Sequence, residues 1–237
     1  MKEFLLIHSA NPREGPGDRE SMDWALSQID VTGAGRVLDA GCGPGADIPG
    51  LLAHMPKARL VAMDSHAPYI DRVRARYAGE PRVRAMIGDM ARPEGRFDLI
   101  WSAGAIYNLG VGKGLRGWHA HLEDGGAVVF SELAWTGAPR SAAAVDFWAT
   151  GYPAMQDREG VLAEARAAGY ETRAARFLPV AAWAAYYDPL QARVEELRAC
   201  GDDPAMQAAL DSEQREIDLW RAHGNEYGYL QVVAVRA

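Results

Sequence analysis

The chain has 237 residues, of which 49% are hydrophobic, and it carries a formal net charge of −7, so it holds enough apolar residues for one sizeable core. No long basic run is present, which argues against a nucleic-acid partner, and the two distant cysteines, Cys42 and Cys200, argue for a reducing cytosol without disulfides. Because no apolar run approaches the ~20 residues that span a bilayer, the sequence predicts a soluble, cytoplasmic protein with no membrane partner.

The predicted elements begin with a turn-rich stretch at residues 10–20, followed by a helix in which Met22, Leu26 and Ile29 recur at helical spacing. Buried strands then alternate with helices along the chain. The five strands predicted in this part are Arg36–Ala40, Arg59–Asp64, Val83–Gly88, Phe97–Ser102 and Ala127–Leu133. Strands separated by helices predict an α/β fold with a mostly parallel sheet and helices on both faces.

The last third of the chain has a different pattern. Two further strands are predicted, Thr172–Val180 and Tyr229–Val235, and the residues between them have helical composition. Asp188 and Asp203 are each followed by proline, and this pairing predicts two helix starts with aspartate as the N-cap. We therefore expect a helical insert before the last strand and not a second domain.

The stretch "VLDAGCGPGAD" places three glycines, Gly41, Gly43 and Gly45, between the first strand and a helix. Glycine permits a positive φ and a close approach of the backbone to a ligand. The spacing also fits the dinucleotide fingerprint, but Asp39 at the strand end would repel a pyrophosphate. The ligand should therefore carry a positive group, as S-adenosylmethionine does. A nicotinamide-dependent oxidoreductase, which Asp39 opposes, and a plain tight turn are the alternatives.

Two further strand ends carry candidate ligand-binding residues. Asp64 follows the glycines by about twenty residues, at the place where a carboxylate meets ribose hydroxyls in nucleoside-binding α/β folds. Its alternative role is to cap the following helix. Gly88-Asp89-Met90 ends the third strand, where Asp89 could accept a hydrogen bond from an adenine amino group and Met90 could pack on the ring; a simple turn is the alternative there.

Taken together, "VLDAGCGPG", "VAMD", "GDM" and "FDLIWSAGAIYNLG" resemble motifs of the class I S-adenosylmethionine-dependent methyltransferases, in order and spacing from about Arg36 to Leu133. The block "IWSAGAIYNLG", with "SELAW" and "DFW" further on, is similar to a group of small bacterial methyltransferases without an assigned acceptor. That narrower likeness extends over most of the chain.

The resemblance implies a Rossmann-like sheet of seven strands in the order 3-2-1-4-5-7-6, with strand 7 antiparallel to the others. It also assigns cofactor contacts in four groups. The methionine end is assigned to Asp39, Gly41, Cys42 and Gly43, the ribose to Asp64 and Ser65, the adenine to Gly88, Asp89 and Met90, and the sulfonium to Ser102 and Ala103.

The sequence says less about the residues that bind the methyl acceptor than about those that bind the cofactor. The fourth strand ends in "SAGAIYN" and lacks the Asn/Asp-Pro-Pro-aromatic signature that binds planar amino groups, which argues against DNA adenine and many amide or amine acceptors. Tyr107, Asn108 and Glu132 are the candidate catalytic residues, and Glu132 could act as a base or hold a cationic acceptor. No His, Cys or Asp cluster has metal-ligand spacing, so no metal is expected.

We therefore expect a single domain over residues 1–237 that transfers a methyl group from S-adenosylmethionine to a small molecule and works as a monomer or homodimer. The N-terminal segment 1–30 and the insert at 183–226 are expected to cover the active site as a lid. The alternative function is a regulatory domain that binds S-adenosylmethionine without catalysis.

Overall fold

The computed structural model describes residues 2–201 and 203–237. Its strands in these ranges are β1 (Arg36–Ala40), β2 (Arg59–Asp64), β3 (Val83–Ile87), β4 (Phe97–Ala103), β5 (Leu122–Trp135), β6 (Gln156–Asp157), β7 (Tyr170–Phe177) and β8 (Tyr227–Arg236). The helices in the same ranges are α1 (Lys2–His8), α2 (Arg19–Leu26), α3 (Ile48–His54), α4 (Ala67–Arg76), α5 (Val111–His119), α6 (Ala142–Gly151), α7 (Arg158–Ala167), α8 (Val180–Arg198) and α9 (Pro204–His223).

The strands form one sheet in the order β3-β2-β1-β4-β5-β8-β7, and the two-residue β6 pairs with the end of β5. β8 runs antiparallel to both of its neighbours, whereas the pairs from β3 to β5 are parallel. With β6 set aside, this is the predicted order 3-2-1-4-5-7-6, and the predicted fold class is confirmed.

Helices cover both faces of the sheet, which is why the central strands are nearly continuous apolar runs. On one face, α3 and α4 bury Leu51 and Ile70 against β1 and β2. On the other face, α5 and α7 bury Trp118 and Val161. A third apolar cluster joins α8 and α9 to the ends of β5 and β8, and its largest buried side chains include Tyr187.

The insert starts earlier than the sequence predicted. Helix α8 begins at Val180, so Asp188 is not its N-cap and Pro189 lies inside the helix. An interior proline removes a hydrogen bond and costs about 3 kcal/mol. Trp183 and Tyr187 precede it and are buried in the third cluster, and the burial of two aromatic side chains offsets that cost. The second start is confirmed, because Asp203 caps α9 by accepting a hydrogen bond from the Ala205 amide.

Candidate active site

A cavity of about 620 Å³ opens at the carboxyl ends of the parallel strands, beside β1 and β4. The chain leaves these two neighbouring strands in opposite directions, toward β2 and toward β5, and such a switch point is where open α/β sheets bind ligands. One half of the cavity, here called the cofactor half, is lined by strand-end residues from Asp39 to Met90. The other half, here called the acceptor half, is lined by Trp183, Tyr186, Tyr187, Glu216 and Tyr229.

The turn between β1 and α3 forms the floor of the cofactor half. Gly41, Gly43 and Gly45 have φ angles of 76°, 51° and 82°, a region that other residues rarely adopt. A Cβ atom on Gly41 would lie 2.4 Å from the Cβ atom of Ala105, so this position has no room for a side chain. The amides of Gly41 and Cys42 both donate to the Met63 carbonyl, and this contact fixes the turn against β2.

Asp39 distinguishes this turn from a phosphate-binding turn, because its carboxylate would repel a phosphate. Its side chain lines the cavity although it is only 3% exposed, and its Oδ2 atom has no hydrogen-bond partner among the described residues. Burial raises the pKa of the Asp39 carboxyl, and the nearby carboxylates of Asp47 and Asp64 raise it further. A ligand with a positive charge would stabilise the ionised form of Asp39.

Asp64, at the end of β2, holds the glycine turn from the other side. Its Oδ2 atom accepts a hydrogen bond from the Gly43 amide at 2.9 Å, and its Oδ1 atom accepts one from the His66 amide at 2.8 Å. The N-cap position of α4 is occupied by His66, so Asp64 does not itself have the capping position that was its alternative role. Each oxygen retains a lone pair for a ligand hydroxyl, and Ser65 lines the cavity beside it.

Gly88, Asp89 and Met90 also line the cofactor half. The Asp89 carboxylate accepts a hydrogen bond from the Ala91 amide, which is the simple turn that the sequence left as an alternative. The Met90 carbonyl accepts a hydrogen bond from the indole of the buried Trp118 at 2.7 Å, which ties this loop to α5. Asp89 can therefore form this turn and still face a ligand in the cavity.

Tyr107 and Asn108 lie in a short 3-10 helix after β4 and line the junction between the two halves. The Tyr107 ring is 6.1 Å from the Tyr152 ring, in edge-to-face orientation. The Asn108 amide group donates to the Ala105 carbonyl at 3.0 Å. Burial raises the pKa of Tyr107, so its phenol is a neutral donor at neutral pH.

Two predicted site residues are not in the cavity wall. Ser102 and Glu132 are completely or almost completely buried, and the wall residues next to them in sequence are Ala103 and Leu133. Side chains alternate between the two faces of a strand, so neighbours on β4 and β5 point in opposite directions. Burial raises the pKa of Glu132 to about 7, against the smaller opposite effect of the neighbouring Tyr152 hydroxyl.

Several wall residues were not assigned from the sequence. The concentration of aromatic residues late in the chain was visible, but it did not indicate which of them face a ligand. Arg13, Glu14 and Glu216 were missed altogether, and Glu216 resembled the other acidic residues of a solvated helix. The signal that identifies Glu216 is three-dimensional, because Tyr187 on α8 donates a hydrogen bond to its Oε1 atom at 2.8 Å.

The sheet order, the glycine turn and the strand-end carboxylates are typical of α/β folds that bind nucleosides. Residues 37–126 match the family model described as a methyltransferase domain. The structure is similar to the S-adenosylmethionine-dependent methyltransferase of Geobacter sulfurreducens, solved in complex with S-adenosylhomocysteine, with a TM-score of 0.83 and 16% identity. That alignment covers 100% of this chain and 98% of the other, and at this identity it shows the shared fold.

Two curated relatives match shorter segments. The malonyl-[acyl-carrier protein] O-methyltransferase of Pseudescherichia vulneris is 32% identical over 117 residues, which are 49% of this chain and 46% of that protein. The ribosomal RNA small subunit methyltransferase C of Klebsiella pneumoniae is 34% identical over 113 residues, which are 43% of this chain and 32% of that protein. The chain thus spans less than half the length of either relative.

These findings support the predicted S-adenosylmethionine-dependent methyltransferase and its predicted cofactor. Likeness to the narrower group that carries the "IWSAGAIYNLG" block stays a prediction. In the described ranges, no helix is both long enough and apolar enough to cross a membrane.

Proposed function

We propose that this protein transfers a methyl group from S-adenosylmethionine to a small molecule that binds in the acceptor half of the cavity. The observation that carries the proposal is the continuity of the cavity from the glycine turn to the aromatic residues of α8. Its volume of about 620 Å³ falls in the range of ~300–1,000 Å³ that is typical of small-molecule sites.

The residues of the cofactor half fit S-adenosylmethionine, which supplies a methyl group activated on a sulfonium. The partnerless Oδ2 atom of Asp39 would attract the cationic methionine end. Asp64 would accept hydrogen bonds from the ribose hydroxyls with the lone pairs that its backbone contacts leave free. Asp89 and Met90 would border the adenine.

Catalysis at such a site depends on holding the acceptor in line with the methyl group and on excluding water. Tyr107 and Tyr152 lie at the junction where acceptor and methyl group would meet. An acceptor that must lose a proton before attack needs a base, and Glu132 is the candidate. Its pKa of about 7 suits proton transfer at neutral pH, and Tyr152 would relay the proton because Glu132 lies behind the wall.

Two features favour a small acceptor over RNA or a carrier protein. The chain has a net charge of −7, which opposes binding to nucleic-acid phosphates. The acceptor half lies beneath α8 and α9, which contribute Trp183 and Glu216 to its wall.

Calorimetry with S-adenosylmethionine and S-adenosylhomocysteine, followed by an assay with deuterated methyl donor over a library of small metabolites, tests the proposal. We expect both compounds to bind and at least one metabolite to gain the labelled methyl group. Binding without transfer to any small molecule would favour the regulatory alternative. Labelling of RNA or acyl-carrier protein alone would overturn the small-molecule assignment.

A further inference from the structure

The acceptor half of the cavity is an aromatic box around one carboxylate. The Trp183 ring lies 5.6 Å from the Tyr187 ring and 5.4 Å from the Tyr229 ring, and Tyr186 lies 4.9 Å from Tyr187. All four rings line the cavity together with Glu216. Trp183 and Tyr187 are stacked on each other and buried, whereas Tyr186 and Tyr229 are partly exposed. The box therefore offers aromatic rings, whose faces carry partial negative charge, next to an acidic side chain.

The carboxylate in the box is oriented but not neutralised. Tyr187 fixes one oxygen of Glu216 through its hydroxyl, and no Lys or Arg among the described residues forms a salt bridge with Glu216. Burial raises the pKa of the Glu216 carboxyl, with Glu213 adding to the effect, while the hydrogen bond from Tyr187 and the charge of His8 act against it. A partly buried carboxylate without a Lys or Arg partner is stabilised in its ionised form by a ligand with a positive charge.

The whole cavity wall has an excess of acidic residues. Six carboxylates line it in the described part of the chain: Glu14, Asp39, Asp47, Asp64, Asp89 and Glu216. Arg13 is the one Lys or Arg side chain found there, and its guanidinium is occupied by Asp47 at 3.4 Å and by the Gly15 carbonyl at 2.6 Å. A phosphate or carboxylate on the acceptor would therefore meet six carboxylates and, among the described wall residues, one guanidinium that Asp47 and Gly15 already contact.

We propose that the acceptor is a small aliphatic amine whose nitrogen lies in the aromatic box against Glu216. This inference rests on the methyltransferase function proposed above and names its substrate class. Cation–π contacts with the tryptophan and tyrosine rings and the charge of Glu216 recognise the ammonium form. An anionic acceptor would instead add like charge to a site that already carries unneutralised carboxylates.

The sequence argument against amine acceptors does not apply to this class. The Asn/Asp-Pro-Pro-aromatic signature, which the chain lacks, binds planar amino groups such as that of adenine. An aliphatic ammonium is tetrahedral and charged, and aromatic faces with a carboxylate recognise it without that signature. The relevant residues lie on α8, α9 and β8, and none of them belongs to the end of β4, where the signature would be found.

The reaction with an amine balances without a further reactant. The bound ammonium first loses one proton, which passes to Glu132 through Tyr152 or to water, and the nitrogen lone pair becomes free. The nitrogen then forms a bond to the methyl carbon as the carbon–sulfur bond breaks, and the electron pair of that bond stays on sulfur. The products are the thioether S-adenosylhomocysteine and a methylated ammonium, so the positive charge moves from sulfur to nitrogen.

Three probes, titrated by calorimetry into the protein saturated with S-adenosylhomocysteine, test the inference. Choline carries the cationic group, 3,3-dimethylbutan-1-ol is its neutral isostere, and methyl phosphate carries an anion. We expect choline to bind about tenfold more tightly than the isostere, with no measurable binding of methyl phosphate. Glu216→Gln should remove most of the preference for choline, while Asp218→Asn, an exposed change on the same helix, should retain it.

The readouts separate the two proposals. If S-adenosylhomocysteine does not bind the wild-type protein, the methyltransferase proposal fails and this inference fails with it. If it binds but the isostere matches choline, or methyl phosphate binds more tightly, the amine inference is overturned and the methyltransferase proposal stands. The wild-type comparison does not depend on any variant, and the affinity of Glu216→Gln for S-adenosylhomocysteine shows whether that variant is folded.

Discussion

The cofactor half and the acceptor half of the cavity are built in different ways. The cofactor half consists of backbone turns and short carboxylates at the ends of consecutive strands, all between Asp39 and Met90. The acceptor half consists of large side chains on α8, α9 and β8 that only packing brings together. The difference teaches that a site made of strand ends can be read from local sequence, whereas a site made of helix faces depends on tertiary contacts.

The largest loss of cofactor affinity is expected when a side chain is placed on the floor of the cofactor half. Gly41→Ala combines a positive φ with a Cβ atom 2.4 Å from Ala105, so the turn must move. Calorimetry should show S-adenosylhomocysteine affinity falling by more than about 100-fold. Gly125→Ala is the matched control, because Gly125 has a φ of 78° with open space around it, and its variant should bind normally. Equal losses in both variants would contradict the role of the contact with Ala105.

The free energy of unfolding should depend on pH through His8, whose ion pairs hold α1 against α9 behind the acceptor half. His8 is buried, its Nδ1 atom is 2.7 Å from Glu14, and its Nε2 atom is 3.5 Å from Glu213 on α9. Burial lowers the pKa of His8, but the two carboxylates raise it to about 9. Because the folded pKa exceeds the unfolded value of about 6.5, the stabilisation is fully present below pH 6.5 and is lost as pH rises through 9.

Urea unfolding from pH 6 to pH 10 measures that loss, which should be about 2–3 kcal/mol in the free energy of unfolding. His8→Gln should flatten this part of the profile, whereas His54→Gln, on a half-exposed residue paired with Asp23, should keep it. An unchanged slope in the His8 variant would show that this histidine does not carry the pH dependence.

Asp64→Ala tests the link between the glycine turn and the ribose. It removes the acceptor of the Gly43 and His66 amides and the proposed partner of the ribose hydroxyls. Hydrogen bonds to a charged group contribute about 1.5–3 kcal/mol each, so S-adenosylmethionine affinity should fall at least about tenfold. Asp71→Ala, on the exposed face of α4, serves as the control in the same calorimetric titration. An affinity within error of wild type would refute the assignment.

Asp39→Asn should have opposite effects on the stability of the free protein and on its affinity for S-adenosylmethionine. The raised pKa of this carboxyl means that the unfolded chain releases its proton first, so ionisation lowers stability as pH rises above about 4. The neutral variant should be more stable than wild type at pH 7, by on the order of 1 kcal/mol, and should bind S-adenosylmethionine more weakly. Thermal unfolding with and without the cofactor measures both. Lower stability of the free variant would contradict this account.

The smallest change is expected in the dynamics of the covering segments. Arg13–Trp24 and α8–α9 contribute Arg13, Trp183 and Glu216 to the cavity wall. The lid function of the flanking segments stays a prediction. Hydrogen exchange with S-adenosylhomocysteine should slow in one of these segments by more than in the glycine turn. Identical exchange in both states, also with an acceptor bound, would identify them as rigid scaffold.

Local signals, namely buried strands followed by glycines or carboxylates, predicted the alternating strands and helices, and the resemblance to the methyltransferases supplied the sheet order that the structure confirms. The assignment of cofactor contacts stays a prediction, although most of the assigned residues line one cavity. The sequence did not predict that α8 runs through Pro189, since the outcome depends on the burial of Trp183 and Tyr187 against other elements. Glu132 was predicted to end the fifth strand beside the cavity, but β5 continues to Trp135 and the alternation of side chains turns Glu132 away from the wall. Glu216 could not be distinguished from exposed acids without knowing that α8 packs on α9.

The position of β8 has a consequence for folding during synthesis. β8 is the last of the described strands to leave the ribosome, yet it lies between β5 and β7 and pairs with both. Until it emerges, the fourteen-residue β5 has an unpaired edge on that side, which is a site for non-native pairing with other chains. β8 also carries Tyr229, so the step that closes the sheet completes the wall of the acceptor half at the same time.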